Sequence, residues 1–191
     1  MDALPEAAAA ATASGRVELV VDAAHFQRVV LDGMAKARTS LDIATADFKA
    51  MMIPTPGSGS AASVVELFGR LTQRGVEVRL MHSGVPSGPA LSQLRRGVPE
   101  GLVIRRCPRL HAKCVIVDCS AMYLGSANLT GAGLGAKAET RRNFEWGVWT
   151  ETSALIDRVL EQYNALWEGR HCDACQRRDL CPVPLEEPQL T

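Results

Sequence analysis

The stretch His111-Ala112-Lys113-Cys114-Val115-Ile116-Val117-Asp118, followed by Gly125-Ser126-Ala127-Asn128, decides how this chain is read. An imidazole and an ammonium two residues apart lead into an apolar run. That pattern predicts a buried strand with two polar side chains on one face. His111 and Lys113 would share that face with Val115 and Val117, while Asp118 points the other way. Asp118 is therefore expected to make a structural hydrogen bond rather than to work beside His111. Ser126 and Asn128, also two apart, are expected on one face of the next extended segment, after a turn near 118–120. The two segments together offer an imidazole, a cation, a hydroxyl and a carboxamide. These can converge on a tetrahedral anion, with Lys113 and Asn128 on phosphate oxygens and His111 free to attack phosphorus. A core histidine with a snorkelling lysine would explain two of these residues but not the Gly-Ser-x-Asn.

The spacing His-x-Lys-x4-Asp-x6-Gly-Ser-x-Asn resembles the signature of the phospholipase D superfamily, the HKD-motif phosphodiesterases. Arg142-Asn143-Phe144-Glu145-Trp146-Gly147-Val148 resembles that family's following strand, whose Asn-x-Glu puts a carboxylate behind the histidine. The resemblance implies an α/β fold, a phospholipase D-like sandwich of a mixed β-sheet flanked by helices, with one HKD motif per chain. It implies His111, Lys113, Ser126, Asn128 and Glu145 as catalytic residues, with Asp118 and Gly125 as structural parts of the motif. It also implies two steps using two His-Lys-Asn sets. One histidine becomes a phosphohistidine; the other protonates the leaving oxygen and then activates water.

His25, His82 and His171 each lack a lysine two residues later, so the chain holds one set. A homodimer with its active site on the two-fold axis is the expected solution. Small single-motif members that resemble this chain are nucleases that need no metal. A DNA or RNA endonuclease with no cofactor for catalysis is therefore the leading expectation. The alternatives are a phospholipase or phosphatidyl transferase, and a nucleic-acid-binding subunit of a larger bacterial defence or processing complex.

Composition adds limits. The 191 residues are 47% hydrophobic and 22% charged, ordinary for one globular domain, and the formal net charge is zero. Whole-molecule attraction to a polyanion gets no support from that balance. Locally, Arg95, Arg96, Arg105, Arg106, Arg109 and Lys113 face a single acid, Glu100, within 95–113. Arg105, Arg106 and Arg109 are expected to bind a polyanionic substrate, and Arg95 and Arg96 to form a solvated face. No apolar run reaches the length of a membrane span. The Ala-rich residues 1–15 lack the basic start of a signal peptide and are read as a disordered or weakly helical leader. A cytoplasmic protein without a membrane partner is expected.

Strands are expected over 16–21, 40–46, 76–81, 102–106 and 143–150. Helices are expected over 23–37, 63–74, 89–96 and 151–167. The helix from 63 should start with a capping box between Ser63 and Glu66. The last helix should turn Leu155, Val159, Leu160, Tyr163, Leu166 and Trp167 inward. Residues 54–60 read as a loop, His25 as a surface or capping residue, and His82 as structural.

Six cysteines in an intracellular chain point to metal rather than disulfides. Cys172, Cys175 and Cys181 have the spacing of a metal knuckle, with Cys107 or His171 as a fourth ligand. Zinc is one candidate. Cys-x2-Cys-x5-Cys-Pro also resembles the iron–sulfur clasp of a family of DNA exonucleases, which makes a 4Fe-4S cluster the other. The chain thus divides into a leader (1–15), a catalytic domain (16–168) and a Cys-rich metal-binding tail (169–191).

Overall fold

The computed structural model describes residues 15–55, 57, 59–86, 88–177 and 180–181. The expected leader, apart from Gly15, lies outside them. Nine strands and three α-helices alternate along these residues. The strands are β1 (Val17–Val21), β2 (Ser40–Thr45), β3 (Met52–Pro54), β4 (Ala61–Ser63), β5 (Glu77–His82), β6 (Leu102–Arg106), β7 (Cys114–Val117), β8 (Ala121–Gly125) and β9 (Trp146–Thr150). The helices are α1 (Val64–Gln73), α2 (Gly88–Arg96) and α3 (Ser153–Trp167).

Seven strands form one mixed sheet in the order β1-β9-β8-β7-β2-β5-β6. β2, β5 and β6 run parallel, and the other neighbours are antiparallel. The central strand β7 is Cys-Val-Ile-Val and is buried along its whole length, as a strand covered on both faces must be. Val115 and Val117 join a core with Val29, Val30, Phe68, Leu71, Leu94 and Trp149, under α1 and α2. Cys114 and Ile116 join the opposite core, where Ile156, Tyr163 and Trp167 of α3 pack on Ala44, Met81 and Met122. The result is a three-layer α/β sandwich.

Alternating strand directions bring one set of strand ends to one edge of the sheet. The segments after β1, β2, β5, β6 and β8 and those before β7 and β9 all gather there. The functional motif occupies these segments.

The capping box is present: Ser63 Oγ accepts the Glu66 N–H and Glu66 accepts the Ser63 N–H. Other expectations change. The segment expected as one helix over 23–37 is a π-helical turn (Phe26–Leu31) and a 3-10 turn (Met34–Lys36). Gly33 lies between them, and the Trp149 ring passes 2.6 Å from where its Cβ would stand. The close ring and the low helix propensity of glycine interrupt the helix. Within 54–60, expected as loop, Pro54 pairs with Ala61 in a β3–β4 hairpin, and Thr55 N–H donates to Ser60 O at 2.8 Å. Proline is tolerated because this two-stranded ribbon has only edge strands. In α3 Tyr163 and Trp167 are buried and Val159, Leu160 and Leu166 pack partly buried against the same core, as expected, while Leu155 is exposed and Ile156 takes its place inside.

Candidate active site

His111, Lys113, Ser126, Asn128 and Glu145 come together at that edge, each fixed by a different device. β7 begins only at Cys114, so His111 and Lys113 precede the strand rather than sit within it. The partner strand β2 ends at Thr45 and leaves them no ladder to join. Gly125 N–H donates to Lys113 O at 3.2 Å and holds the entry to β7 against β8. Lys113 Nζ donates to His111 O at 2.8 Å and lies 3.3 and 3.4 Å from the two ring nitrogens. Burial lowers the Lys113 pKa below the usual lysine range, and the Glu145 carboxylate opposes that shift. The imidazole itself is exposed.

Asn128 is oriented by its oxygen. Oδ1 accepts the backbone N–H groups of Ala46 and Asp47, both at 3.1 Å, and the Thr45 hydroxyl at 3.3 Å. Backbone N–H groups can only donate, so the oxygen faces inward. The carboxamide nitrogen makes no hydrogen bond among the described residues and remains a donor for an anion. Thr45, which also accepts the Leu129 N–H at 2.9 Å, is a supporting residue the motif does not reveal.

Glu145 is buried, and its carboxylate accepts hydrogen bonds from Ser126 Oγ and from Asn143 Nδ2, the latter at 3.0 Å. It makes no hydrogen bond to His111 among the described residues. Within one chain the carboxylate holds Ser126. β9 starts at Trp146 rather than 143: the Glu145 N–H donates to the Asp22 carboxylate and the Asn143 N–H to Ala132 O, rather than to a strand partner.

Asp118 lies at the far end of β7. Its carboxylate accepts the backbone N–H groups of Arg38, Thr39 and Ser40 and the Thr39 hydroxyl, at 2.8–3.2 Å. Partial burial pushes its pKa up, but these donors together bring it below the usual carboxylate value. Gly125 has a steric reason to be glycine: an added Cβ would stand 2.3 Å from Tyr123 Oη and 2.6 Å from Gly147 Cα.

The arginines divide. Arg105 is tied to α3, donating to Trp167 O with its guanidinium 4.7 Å from the centroid of the Trp167 ring. Arg106 donates to Ser83 O at 3.0 Å. Both half-buried guanidinium groups are thus already engaged with the fold. Arg109 is exposed just before His111, and its Nη1 lies 3.7 Å from Cys175 Sγ.

Of the other histidines, His25 differs from the surface expectation and His82 is structural, as expected. His25 is fully buried, between Asp22 O at 2.9 Å and Tyr123 Oη at 3.0 Å, rather than at the surface. His82 is buried with Nδ1 donating to Gly84 O at 2.6 Å, and Nε2 has no hydrogen-bond partner among the described residues. In the tail, Cys175 N–H donates to Cys172 O at 3.1 Å, closing the Cys-x2-Cys turn. Cys107 packs partly buried against the α3 core, and His171 is exposed. Among the described residues no three His, Cys, Asp or Glu side chains come together as a metal site. No described helix is long and apolar enough to cross a membrane.

With this arrangement in view, the family comparison is decisive: residues 30–167 match the family model "Cardiolipin synthase, PLD-like domain". The chain belongs to the phospholipase D superfamily. Solved structures with the same fold include NucT from Helicobacter pylori, at 17% identity and TM-score 0.60, covering 81% of this chain and 96% of that one. Nuc from Salmonella typhimurium, a phospholipase D family member, shares 22% identity at TM-score 0.60, covering 81% and 95%. The phosphatidylserine synthase of Haemophilus influenzae shares 19% at TM-score 0.54, covering 78% of this chain and 38% of its own. No curated protein sequence is significantly similar to the chain.

Proposed function

We propose that this phospholipase D-like phosphodiesterase is a homodimeric endonuclease of DNA or RNA that works through a phosphohistidine. The observation that carries this reading is the cluster of an exposed imidazole, an ammonium against it, and an asparagine whose carboxamide nitrogen has no hydrogen-bond partner among the described residues. A His111 ring nitrogen attacks phosphorus, forming an N–P bond as the P–O bond to the leaving strand breaks. Lys113 and the Asn128 carboxamide hold the phosphate oxygens as charge builds on them. His111 of a second copy gives the leaving oxygen its proton and then takes one from water, which displaces phosphate from the first ring. Imidazole supplies the nucleophile and lysine the positive charge, so no step calls for a metal ion.

An exposed apolar face supports the second copy. Val17, Leu19 and Val21 of the edge strand β1 are exposed on the same sheet face as Trp146, which pairs with Val21. Leu19 and Trp146 are 70% and 69% exposed, and Phe144 beside Glu145 is 91% exposed. This is the α3 side of the sheet, since Leu19 pairs with Val148 and Val148 with Leu124, which packs on the α3 core. An apolar patch of this kind, reaching the active-site edge, is what a self-association surface offers.

Nucleic acid is favoured over lipid because the chain matches most of the length of Nuc and NucT but a minor part of the phosphatidylserine synthase. Incubation with supercoiled plasmid and, separately, with phosphatidylcholine vesicles tests the choice. Relaxed or linear plasmid with no released choline is expected; choline release with intact plasmid would make it a phospholipase. Plasmid binding without cutting would favour a binding subunit. We also infer, from spacing alone, that Cys172, Cys175 and Cys181 bind zinc or an iron–sulfur cluster.

A further inference from the structure

Behind the Ser126–Glu145 contact lies a buried chain of hydrogen bonds that the proposed mechanism does not use. The Ala127 N–H can only donate, so Tyr123 Oη accepts it, at 3.1 Å. The Asp22 carbonyl can only accept, so His25 Nδ1 carries the proton that reaches it at 2.9 Å. A neutral His25 then presents a bare Nε2, and Tyr123 donates its own proton there at 3.0 Å. The two rings meet edge to face, with centroids 5.1 Å apart at 81°. Asp22 in turn is locked to the other side of the site. Its N–H donates to Glu145 O, and its carboxylate accepts the Glu145 N–H, both at 2.9 Å.

Every donor in this chain has one acceptor. The relay runs from the backbone of Glu145 to the backbone of Ala127, which lies between Ser126 and Asn128. Space for it is made by two glycines. A Cβ on Gly125 or Gly147 would come within 2.3 Å of the Tyr123 side chain. Burial lowers the His25 pKa below the ordinary imidazole range, against the pull of the Asp22 carbonyl and of Glu145. Burial also pushes the Tyr123 hydroxyl up to about 12. Both shifts favour the neutral forms, in which these donor directions hold.

We infer that His25 and Tyr123 are positioning residues, a buried strut that sets where Ser126 and Asn128 stand relative to Glu145 and the bound phosphate. The inference rests on the phosphodiesterase reading above. It assigns function to a fully buried histidine 86 residues before His111.

The test uses turnover of bis(p-nitrophenyl) phosphate by full-length variants. A misplaced Asn128 weakens transition-state contacts more than ground-state ones. Tyr123→Phe should therefore lower kcat about ten- to a hundredfold and leave KM within about twofold. His25→Leu should lose as much, and the double variant no more than either, because the two act as one unit. His25→Gln, which can return an acceptor to Tyr123, should recover most of the loss. Wild-type kcat in Tyr123→Phe, or losses that multiply in the double variant, overturns the inference. If the wild type leaves the diester intact, the phosphodiesterase reading fails instead. Hydrogen exchange at the Ala127 amide then decides the strut: faster in Tyr123→Phe supports it, and unchanged overturns it.

Discussion

The Asn128 carboxamide oxygen accepts the backbone N–H of Ala46 at 3.1 Å, which ties the end of the signature motif to the end of β2, 82 residues away. The contact also assigns the carboxamide: oxygen to the protein, nitrogen to the cleft.

Asn128→Asp separates these two roles. An aspartate still accepts from Ala46 and Asp47, so the melting temperature at neutral pH should stay close to wild type. The outward donor becomes a charged oxygen facing phosphate. Turnover should fall by about a hundred- to a thousandfold, as for loss of a transition-state donor. Kinetics alongside thermal unfolding check both halves.

Acid stability follows from the buried histidines. Burial lowers the pKa of His25 and of His82 below the ordinary 6.5. As pH falls below that value, the unfolded chain binds protons that the folded chain refuses. Their contribution is complete above 6.5 and is lost as pH falls toward the folded values. Thermal unfolding between about pH 7 and pH 5 should show the decline, and His25→Gln should make it shallower. An unchanged slope would show that His25 titrates normally.

How much of this was legible in the residues depends on the range of the contacts. The fold class and the cluster of His111, Lys113, Ser126 and Asn128 follow from short spacings, because two-residue repeats and turn lengths are local. The Ser63–Glu66 capping box is local for the same reason. The roles of Thr45, Asp22, His25 and Tyr123 are not local: His25 meets Tyr123 across 98 residues. Only glycine carried a trace of them. Gly125 and Gly147 fall within or at the end of strands, where glycine marks a close approach, here that of Tyr123. The setting of Arg105 was equally hidden, because charge counts do not show the indole and the helix-end carbonyl beside its guanidinium.

Self-association is tested at Leu19, exposed on the β1 edge and clear of the catalytic groups. Leu19→Glu should give a monomer in sedimentation, with turnover lost and the fold retained. A monomeric wild type with full activity contradicts the dimer.

The tail is tested by elemental analysis of anaerobically purified protein. One zinc, or iron with matching sulfide, should be found, and Cys175→Ser should lower both metal content and melting temperature, because metal binding adds folding free energy. Protein free of both metals, with Cys175→Ser melting like wild type, would leave the cysteines as thiols.

The central claim is that His111 is the nucleophile and needs no metal to act. Plasmid cutting by wild-type protein and by His111→Ala, side by side in excess chelator, tests it most directly. Wild type should cut, and His111→Ala should be slower by about a thousandfold or more while remaining folded. Cutting by His111→Ala at the wild-type rate, or cutting by wild type only when magnesium is restored, would contradict it.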